Sequence, residues 1–227
     1  CESDLTLEDM KRKDAYLGVD LSSGGDLTSI ALIFPLEDNK YYTYTHSFMP
    51  ELRLLEHEKS DDAPYRMWTR EGLLTLTSGM FGLKTDYKEV LKHLEDLINE
   101  HNINILACGY DGHNASGFLN DLLNFGFDCT EVTQSAKSLS EATKDFALSV
   151  EALQVLYDKK NELFTWSVAN AILTKNSFGE IKIDKNTQTQ RIDPVDAVID
   201  AWKIMLLNKN SEPLDINNYF DDFMSAF

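Results

Sequence analysis

Three aspartates lie at the ends of apolar or amphipathic segments, where a carboxylate needs a compensating charge. Asp20 ends the apolar run YLGVD, Asp111 ends the apolar run INILACGYD, and Asp193 lies at the start of the amphipathic segment RIDPVDAVIDAW. Aspartate is disfavoured in strands and costly to bury unless its charge is compensated. A cluster of such oxygen ligands favours a hard divalent cation, Mg²⁺ or Mn²⁺. Two such ions about 4 Å apart would activate a water and stabilise the leaving oxygen in phosphodiester hydrolysis.

Each acid also has an ordinary structural interpretation. Asp20 can be a turn residue, Asp111 can form an Asx-turn before the next helix, and Asp193 can be only a helix N-cap. Asp196, one helical turn after Asp193, is either a second ligand or a solvated side chain, and Asp26 is interpreted as a turn or cap residue. The metal interpretation therefore depends on whether the fold brings the acids together.

Hydrophobic periodicity predicts the elements that would position them. Three strand-like runs, over 16–21, 27–34 and 40–46, are joined by a glycine turn and by a second turn after Pro35, which indicates an antiparallel meander. A long irregular stretch over 48–85 follows. After it we predict a helix over 86–101 capped by Asp86, a strand over 103–110, a helix over 114–125 and a strand over 128–132. The remaining predicted elements are a helix over 138–160 capped by Ser138 or Ser140, a helix or strand-to-helix segment over 163–174, a hairpin edge over 180–185 and a last helix beginning near Asp193.

This order predicts the fold class. Because the later strands alternate with helices, they must pair in parallel, which gives a mixed α/β sheet flanked by helices in the ribonuclease H-like arrangement. The first and fourth strands are then adjacent and parallel, so Asp20 and Asp111 would lie side by side. The last helix would cross them and bring Asp193 to the same edge.

Composition and length indicate one globular domain, or two small ones at most. The chain has 227 residues, 43% hydrophobic and 26% charged, which is ordinary for a folded domain. We expect a lead-in or linker over 1–15, the domain over 16–210 and an acidic tail over 211–227. The first residues are charged throughout, unlike a signal peptide, and favour a fragment of a longer chain. No apolar run approaches the roughly twenty residues of a membrane span, and three widely spaced cysteines favour a reducing compartment.

A net charge of −17 argues against nucleic-acid binding by bulk electrostatics, which requires lysine and arginine. It leaves open binding through metal ions that bridge carboxylates to phosphates. Charges roughly balance between Lys137 and Arg191, so the surface that this segment builds could tolerate a polyanion.

Five segments together resemble a known family. They are, in order, GVDLSSGGDLTSIAL, PYRMWTREGLLTLTSG, GYDGHN, WSVANA and RIDPVDAVIDAW. As an ordered set they are similar to the C-terminal nuclease domain of the large terminase subunit of tailed bacteriophages, in its HK97-like branch. The phosphate-loop pattern GxxxxGK(S/T) of a motor domain does not occur, so the chain is interpreted as the nuclease half alone.

The resemblance implies a ribonuclease H-like endonuclease that cuts double-stranded concatemeric DNA during packaging, using a divalent metal held by acidic residues. By position these are Asp20, Asp111 and Asp193, as catalytic residues and metal ligands, with Asp196 as a further ligand. The implied partners are double-stranded DNA, the ATPase domain of the same full-length protein, the small terminase subunit and the portal protein. The implied location is the cytoplasm of an infected bacterial host.

Basic residues that could contact phosphate are Lys137, Lys182 and Arg191, and His113 is a candidate ligand or proton shuttle. Neither a CxxC nor an HExxH pattern occurs, so no sequence motif indicates zinc. Two other functions stay open: a ribonuclease H-like docking module of the packaging machine without catalysis, and an actin-like or sugar-kinase-like phosphotransferase fragment. The glycine-rich turn after Asp20 favours the phosphotransferase, and the negative charge favours the docking module.

Overall fold

A mixed β-sheet forms the centre of the chain, of which the structure, a computed structural model, describes residues 1–22, 26–113, 115–187 and 189–211. The strands are β1 (Glu2–Ser3), β2 (Asp14–Asp20), β3 (Thr28–Pro35), β4 (Tyr41–Pro50), β5 (Leu74–Thr77), β6 (Asn104–Asp111), β7 (Asp128–Val132), β8 (Val155–Asp158), β9 (Ala171–Lys175) and β10 (Ile181–Lys185). The α-helices are α1 (Leu54–Asp61), α2 (Tyr65–Arg70), α3 (Gly79–Gly82), α4 (Tyr87–His101), α5 (Ser116–Leu123), α6 (Ala136–Glu151), α7 (Glu162–Asn170) and α8 (Asp193–Ser211). Short 3₁₀ helices cover Leu7–Met10, Glu37–Asn39 and Glu51–Arg53.

The strand order confirms the predicted fold class. The sheet runs β1-β8-β4-β3-β2-β6-β7, and β5 also pairs with β4. Strands β2, β3 and β4 form the antiparallel meander, whereas β6 pairs in parallel with β2, and β7 in parallel with β6. This is the ribonuclease H-like arrangement, and β9 and β10 form a separate hairpin.

The register between β2 and β6 positions the first two acids. Gly18 lies opposite Gly109 and Val19 opposite Tyr110, and each strand then ends one residue later at its aspartate. Alternate residues of a strand point to opposite faces of the sheet. The two aspartates and the two glycines therefore share one face.

Helix α8 packs on that face at very short range. A Cβ atom at Gly18 would overlap the Ala197 carbonyl oxygen and lie 2.7 Å from the Ala201 nitrogen. A Cβ atom at Gly109 would lie 2.7 Å from the Asp200 carbonyl oxygen. Since Ala197 and Ala201 are fully buried, small residues on both sides let the helix backbone contact the strands directly.

Apolar packing covers both faces of the sheet. On the face opposite α8, Leu17 and Val19 pack with the apolar stripe of α4, which includes Val90 and Leu94, and with Phe118 of α5. Helix α4 begins as predicted, because the Asp86 side chain accepts a hydrogen bond from the Lys88 nitrogen at 3.0 Å. On the other face the core is built mainly from α6, α7 and α8. No helix within the described ranges combines the length and the apolar character needed to cross a bilayer.

Two predicted boundaries are wrong. The helix predicted over 138–160 is instead α6, capped by Ser135 rather than by Ser138 or Ser140, and it ends at Glu151. Leu153 then takes a left-handed backbone conformation with φ of 56°, and the chain continues as strand β8, which pairs with β4 and β1. The helix period misses this strand because it is only four residues long.

The predicted lead-in is also part of the fold. Glu2 and Ser3 pair in parallel with β8, and Met10 is buried in the core. The irregular stretch over 48–85 contains α1, α2, β5 and α3, and the segment over 163–174 is helix α7 followed by strand β9. The predicted glycine turn at 23–25, the helix start at 114 and nearly all of the acidic tail, 212–227, lie outside the described residues.

Replacing Gly18 by alanine tests the close packing of α8. The new methyl group overlaps the α8 backbone, so we expect Gly18→Ala to lower the free energy of unfolding by about 3 kcal/mol or more. Gly117→Ala, in α5 with open space around it, is the matched control and should raise it by about 0.5–1 kcal/mol. Urea unfolding measures both, and equal stabilities for Gly18→Ala and the unmodified chain would contradict the packing interpretation.

Candidate metal centre

An acidic cleft of about 390 Å³ opens where β2 and β6 end beneath the start of α8. Its lining includes all four predicted metal ligands, Asp20, Asp111, Asp193 and Asp196. Two strand ends and one helix start therefore deliver the four carboxylates to a single place. The ribonuclease H-like order predicts this convergence, and it is the feature that the ordinary interpretation of each separate acid does not explain.

The cleft concentrates negative charge on buried and partly buried side chains. Asp193 is only 7% exposed, and Asp20 and Asp196 are partly buried. Burial, reinforced by the nearby Asp193 and Asp196 carboxylates, raises the pKa of Asp20 well above its usual range. Burial, together with the charge of Asp26, raises the pKa of Asp193 to about 7. These carboxylates repel one another unless cations or protons compensate them.

Sequence reasoning missed a further carboxylate near these four, Asp200, whose charge contributes to the raised pKa of Asp20. It is fully buried on α8, and the Gln134 side-chain nitrogen donates hydrogen bonds to its two oxygens at 2.9 and 3.2 Å. Burial raises its pKa well above the usual range. The signal was present in the sequence, because Asp193, Asp196 and Asp200 follow the spacing of three and four residues that defines one helix face.

Asp111 also fulfils its ordinary interpretation. Its Oδ1 accepts a hydrogen bond from the His113 backbone nitrogen at 3.1 Å, which closes an Asx-turn. The His113 ring Nδ1 lies 3.1 Å from the same oxygen, and this ring is 85% exposed. The turn fixes the carboxylate at the strand end, and its other oxygen has no protein partner among the described hydrogen bonds.

Arg191 and Lys185 supply positive charge on one side of the cleft. The Arg191 guanidinium pairs closely with Asp26, and the Lys185 Nζ lies 3.2 Å from Asp26 Oδ2. Both charges also oppose the rise in the pKa of Asp193. Asp26 is thus compensated by protein cations, unlike the carboxylates at the strand ends.

Arg191 also ties the irregular stretch to the cleft. Its Nε donates to Asp61 Oδ2 at 2.9 Å, and one terminal nitrogen lies 2.9 Å from His57 Nδ1. The Tyr65 hydroxyl donates to the same Asp61 carboxylate at 2.8 Å. One guanidinium therefore joins α1, the loop after β2 and the start of α8.

The three predicted phosphate contacts are placed differently. Lys182, on β10, lines the cleft, 3.5 Å from Asp184 Oδ2, and Lys137 is exposed in the first turn of α6. Arg191 is only 7% exposed and its guanidinium is engaged by carboxylates. Its placement is that of an internal ion pair rather than of a surface contact to phosphate.

The donor set suits a hard divalent cation. Every candidate ligand in the cleft is a carboxylate, and Asp20 and Asp193 are desolvated without a matching number of protein cations. Within the described residues, no three of these carboxylates offer oxygens that all lie within 4.8 Å of one another. An ion held by three of these carboxylates would therefore need their side chains to move or waters to bridge to it.

Comparison with known proteins places this architecture in a family. Residues 4–208 match the family described as "Terminase large subunit, endonuclease domain". The large terminase subunit of Enterobacteria phage HK97 is 27% identical over 215 residues, which cover 92% of this chain and 40% of that protein. The large terminase subunit of Lactococcus phage p2 is 23% identical over 89% of this chain and 37% of its own length. The chain thus spans about two fifths of the length of these relatives.

Solved structures agree with the sequence comparison. The crystal structure of the HK97 large terminase superposes with a TM-score of 0.75 at 26% identity, covering 85% of this chain and 39% of that one. The nuclease of the large terminase from thermophilic phage G20c has the same fold, with a TM-score of 0.53 at 11% identity, covering 84% of this chain and 81% of that one. The fold, the acidic cleft and the match over residues 4–208 lead to one conclusion: this chain belongs to the terminase large subunit endonuclease domain family.

Proposed function

We propose that this domain is a divalent-metal-dependent endonuclease that cleaves double-stranded, concatemeric viral DNA during genome packaging. One observation carries the proposal: Asp20, Asp111 and Asp193 converge from three elements into one cleft, together with Asp196. Structural requirements alone do not explain such a cluster, because each carboxylate raises the cost of burying the next. A cation-binding function explains the cluster.

The proposed cofactor is Mg²⁺ or Mn²⁺, with two ions in the cleft. The G20c terminase nuclease has been solved with bound magnesium and with bound cobalt, with TM-scores of 0.53 and 0.52 to this chain. Two bound ions would supply a metal-activated water and neutralise charge on the leaving oxygen. Asp20, Asp111 and Asp193 would hold them, with Asp196 as a further ligand.

Other residues of the chain orient the site. The Gln134 side chain donates hydrogen bonds to both oxygens of Asp200, and the His113 turn fixes one oxygen of Asp111. Lys182 lines the cleft, where its charge would face a phosphate, and Lys137 is exposed in the first turn of α6. Arg191 is buried and forms ion pairs with Asp26 and Asp61.

The wider setting is part of the same proposal. The domain would act within a full-length large subunit beside its ATPase domain, with the small subunit and the portal protein as partners, in the cytoplasm of an infected bacterial host. A docking module without catalysis is the alternative that the net charge of −17 favours. Whether the chain cleaves DNA distinguishes the nuclease from the docking module.

Removing one predicted ligand should abolish cleavage. We expect the chain to cut supercoiled plasmid in Mg²⁺ or Mn²⁺ and not in EDTA, and Asp111→Asn to reduce the rate roughly 100-fold or more, since metal ions contribute several kcal/mol to the transition state. Asp128→Asn is the matched control, because Asp128 is an exposed aspartate on the neighbouring strand. Unchanged cutting by Asp111→Asn would refute the site, and DNA binding without cutting in any metal would favour the docking module.

Stability without metal should fall as pH rises. The pKa of Asp193 is about 7 in the folded chain and near 3.9 when unfolded, so between these values the folded state binds more protons and loses stability with rising pH. In EDTA we therefore expect the Tm to decrease from pH 5 to pH 8. At pH 8, Mg²⁺ at about 100 times its Kd should add about 2.7 kcal/mol, or roughly 5–10 °C for a domain of this size.

The variant Asp20→Asn should weaken both the fall in Tm with rising pH and the rise in Tm with Mg²⁺, because it removes one repelling charge and one ligand. Asp128→Asn should keep both. If Asp20→Asn showed the full Mg²⁺-dependent rise in Tm, the ion would have to bind elsewhere.

Arg191 provides a test of the internal ion pairs. Arg191→Met leaves the fully buried Asp61 side chain without its cation, so we expect a loss of about 3–5 kcal/mol in the free energy of unfolding. Arg70→Met, an exposed arginine on α2, should change it by less than about 0.5 kcal/mol. Weaker DNA binding at unchanged stability for Arg191→Met would instead support a direct phosphate contact.

A further inference from the structure

A second group of possible metal ligands lies at the other end of β2, away from the acidic cleft. The Arg12 nitrogen donates to the His101 carbonyl oxygen at 3.0 Å just before β2 begins at Asp14, whereas Asp20 ends the strand. A strand of seven residues rising about 3.3 Å per residue separates its two ends by roughly 20 Å. Any ion bound here is therefore distinct from an ion bound in the cleft.

Three side chains of different elements meet at this place. Glu8, from the 3₁₀ helix Leu7–Met10, and Glu100 and His101, from the last turn of α4, offer ligand atoms that all lie within 4.8 Å of one another. The two glutamates are exposed and His101 is only 6% exposed. Water can reach the group, while the imidazole is held in place by the core.

The buried imidazole provides the independent indication of a ligand. His101 Nδ1 is inaccessible to solvent and has no hydrogen-bond partner. It faces Glu8 Oε1 at 3.7 Å, which is too long for a hydrogen bond. A buried polar atom without a partner costs about 1–3 kcal/mol, and a metal ion between these two atoms would satisfy both.

Local contacts and backbone conformation already hold the elements that carry the ligands. In the 3₁₀ helix, the Thr6 nitrogen donates to Asp9 Oδ2 at 2.8 Å, and the buried Met10 anchors the segment in the core. At the other element, Asn102 ends α4 in a left-handed conformation with φ of 53°. Ion binding would therefore need only side-chain movement.

We propose that Glu8, Glu100 and His101 form a binding site for a borderline divalent transition metal such as Zn²⁺, completed by water. A mixed set of imidazole and carboxylate ligands suits Zn²⁺ and disfavours Mg²⁺. Tetrahedral bonds of about 2.0–2.1 Å place neighbouring ligand atoms roughly 3.3 Å apart. The 3.7 Å between His101 Nδ1 and Glu8 Oε1 needs to shorten by only a few tenths of an ångström.

Lys11 competes with the ion. Its ammonium pairs with Glu8 Oε2, the second oxygen of the same carboxylate. A bound ion would use Oε1, which faces the imidazole, and would be repelled by the nearby ammonium. The site therefore binds Zn²⁺ as a clip between the 3₁₀ helix and α4, with an affinity that Lys11 lowers.

The test is Zn²⁺ titration of the full, untagged chain, followed by calorimetry and by the absorption spectrum of the Co²⁺-substituted protein. Saturating Mg²⁺ is present throughout, to fill the metal site proposed in the cleft. We expect one equivalent of Zn²⁺, a rise in Tm, and visible Co²⁺ bands of a four-coordinate ion. Glu8→Gln and Glu100→Gln should each weaken binding at least 10-fold, and Lys11→Met should strengthen it. Both glutamates are exposed, so these variants should fold.

Two controls locate the ion. Glu95→Gln, an exposed glutamate on the same helix, and Asp111→Asn, in the cleft, should leave Zn²⁺ affinity unchanged. Binding that is absent at 100-fold molar excess of Zn²⁺, that persists in Glu8→Gln and Glu100→Gln, or that disappears in Asp111→Asn would overturn the proposal. None of these outcomes depends on DNA cleavage, so the experiment tests the proposed Zn²⁺ site independently of the proposed nuclease activity.

Discussion

The contact between α8 and the strands β2 and β6 is the constraint on which the candidate site depends. Gly18 and Gly109 lie opposite each other in the sheet, and α8 rests on both through its backbone near Ala197 and Ala201. With larger side chains at these positions the helix would lie farther from the sheet, and its acids would lie farther from the strand ends. Close packing thus sets the depth at which Asp193 enters the cleft.

Electrostatic balance then decides what the cleft can hold. Arg191 and Lys185 compensate Asp26 on one side of the cleft, whereas the nearby Asp200 accepts hydrogen bonds from the neutral Gln134 amide and keeps a raised pKa. The acids at the centre have raised pKa values because burial and like charges act together. The fold therefore tolerates an uncompensated centre that protons can neutralise at low pH and divalent cations at neutral pH. A site that a cation completes needs this imbalance.

Local sequence patterns predict most of the central fold and less of its periphery. The meander, α4 and its Asp86 cap, β7 and the start of α8 follow from periodicity and capping, and the resulting order brings Asp20, Asp111 and Asp193 together. The short strands β1 and β8 could not be found, since two and four residues carry no period and their pairing partners are distant in the chain. Asp200 was missed although its helix spacing was visible, and the internal role of Arg191 depends on Asp61, 130 residues away.

The alternation of the pleat restricts how this domain can vary through evolution. In both β2 and β6 a glycine precedes the terminal aspartate by two residues, so the small residue and the acid occupy the same face. Insertion or deletion of one residue between them would turn the carboxylate toward the opposite apolar core. The pleat therefore fixes the chain length between each glycine and its aspartate. Length changes between related sequences should therefore collect in outlying turns, such as the one between β9 and β10.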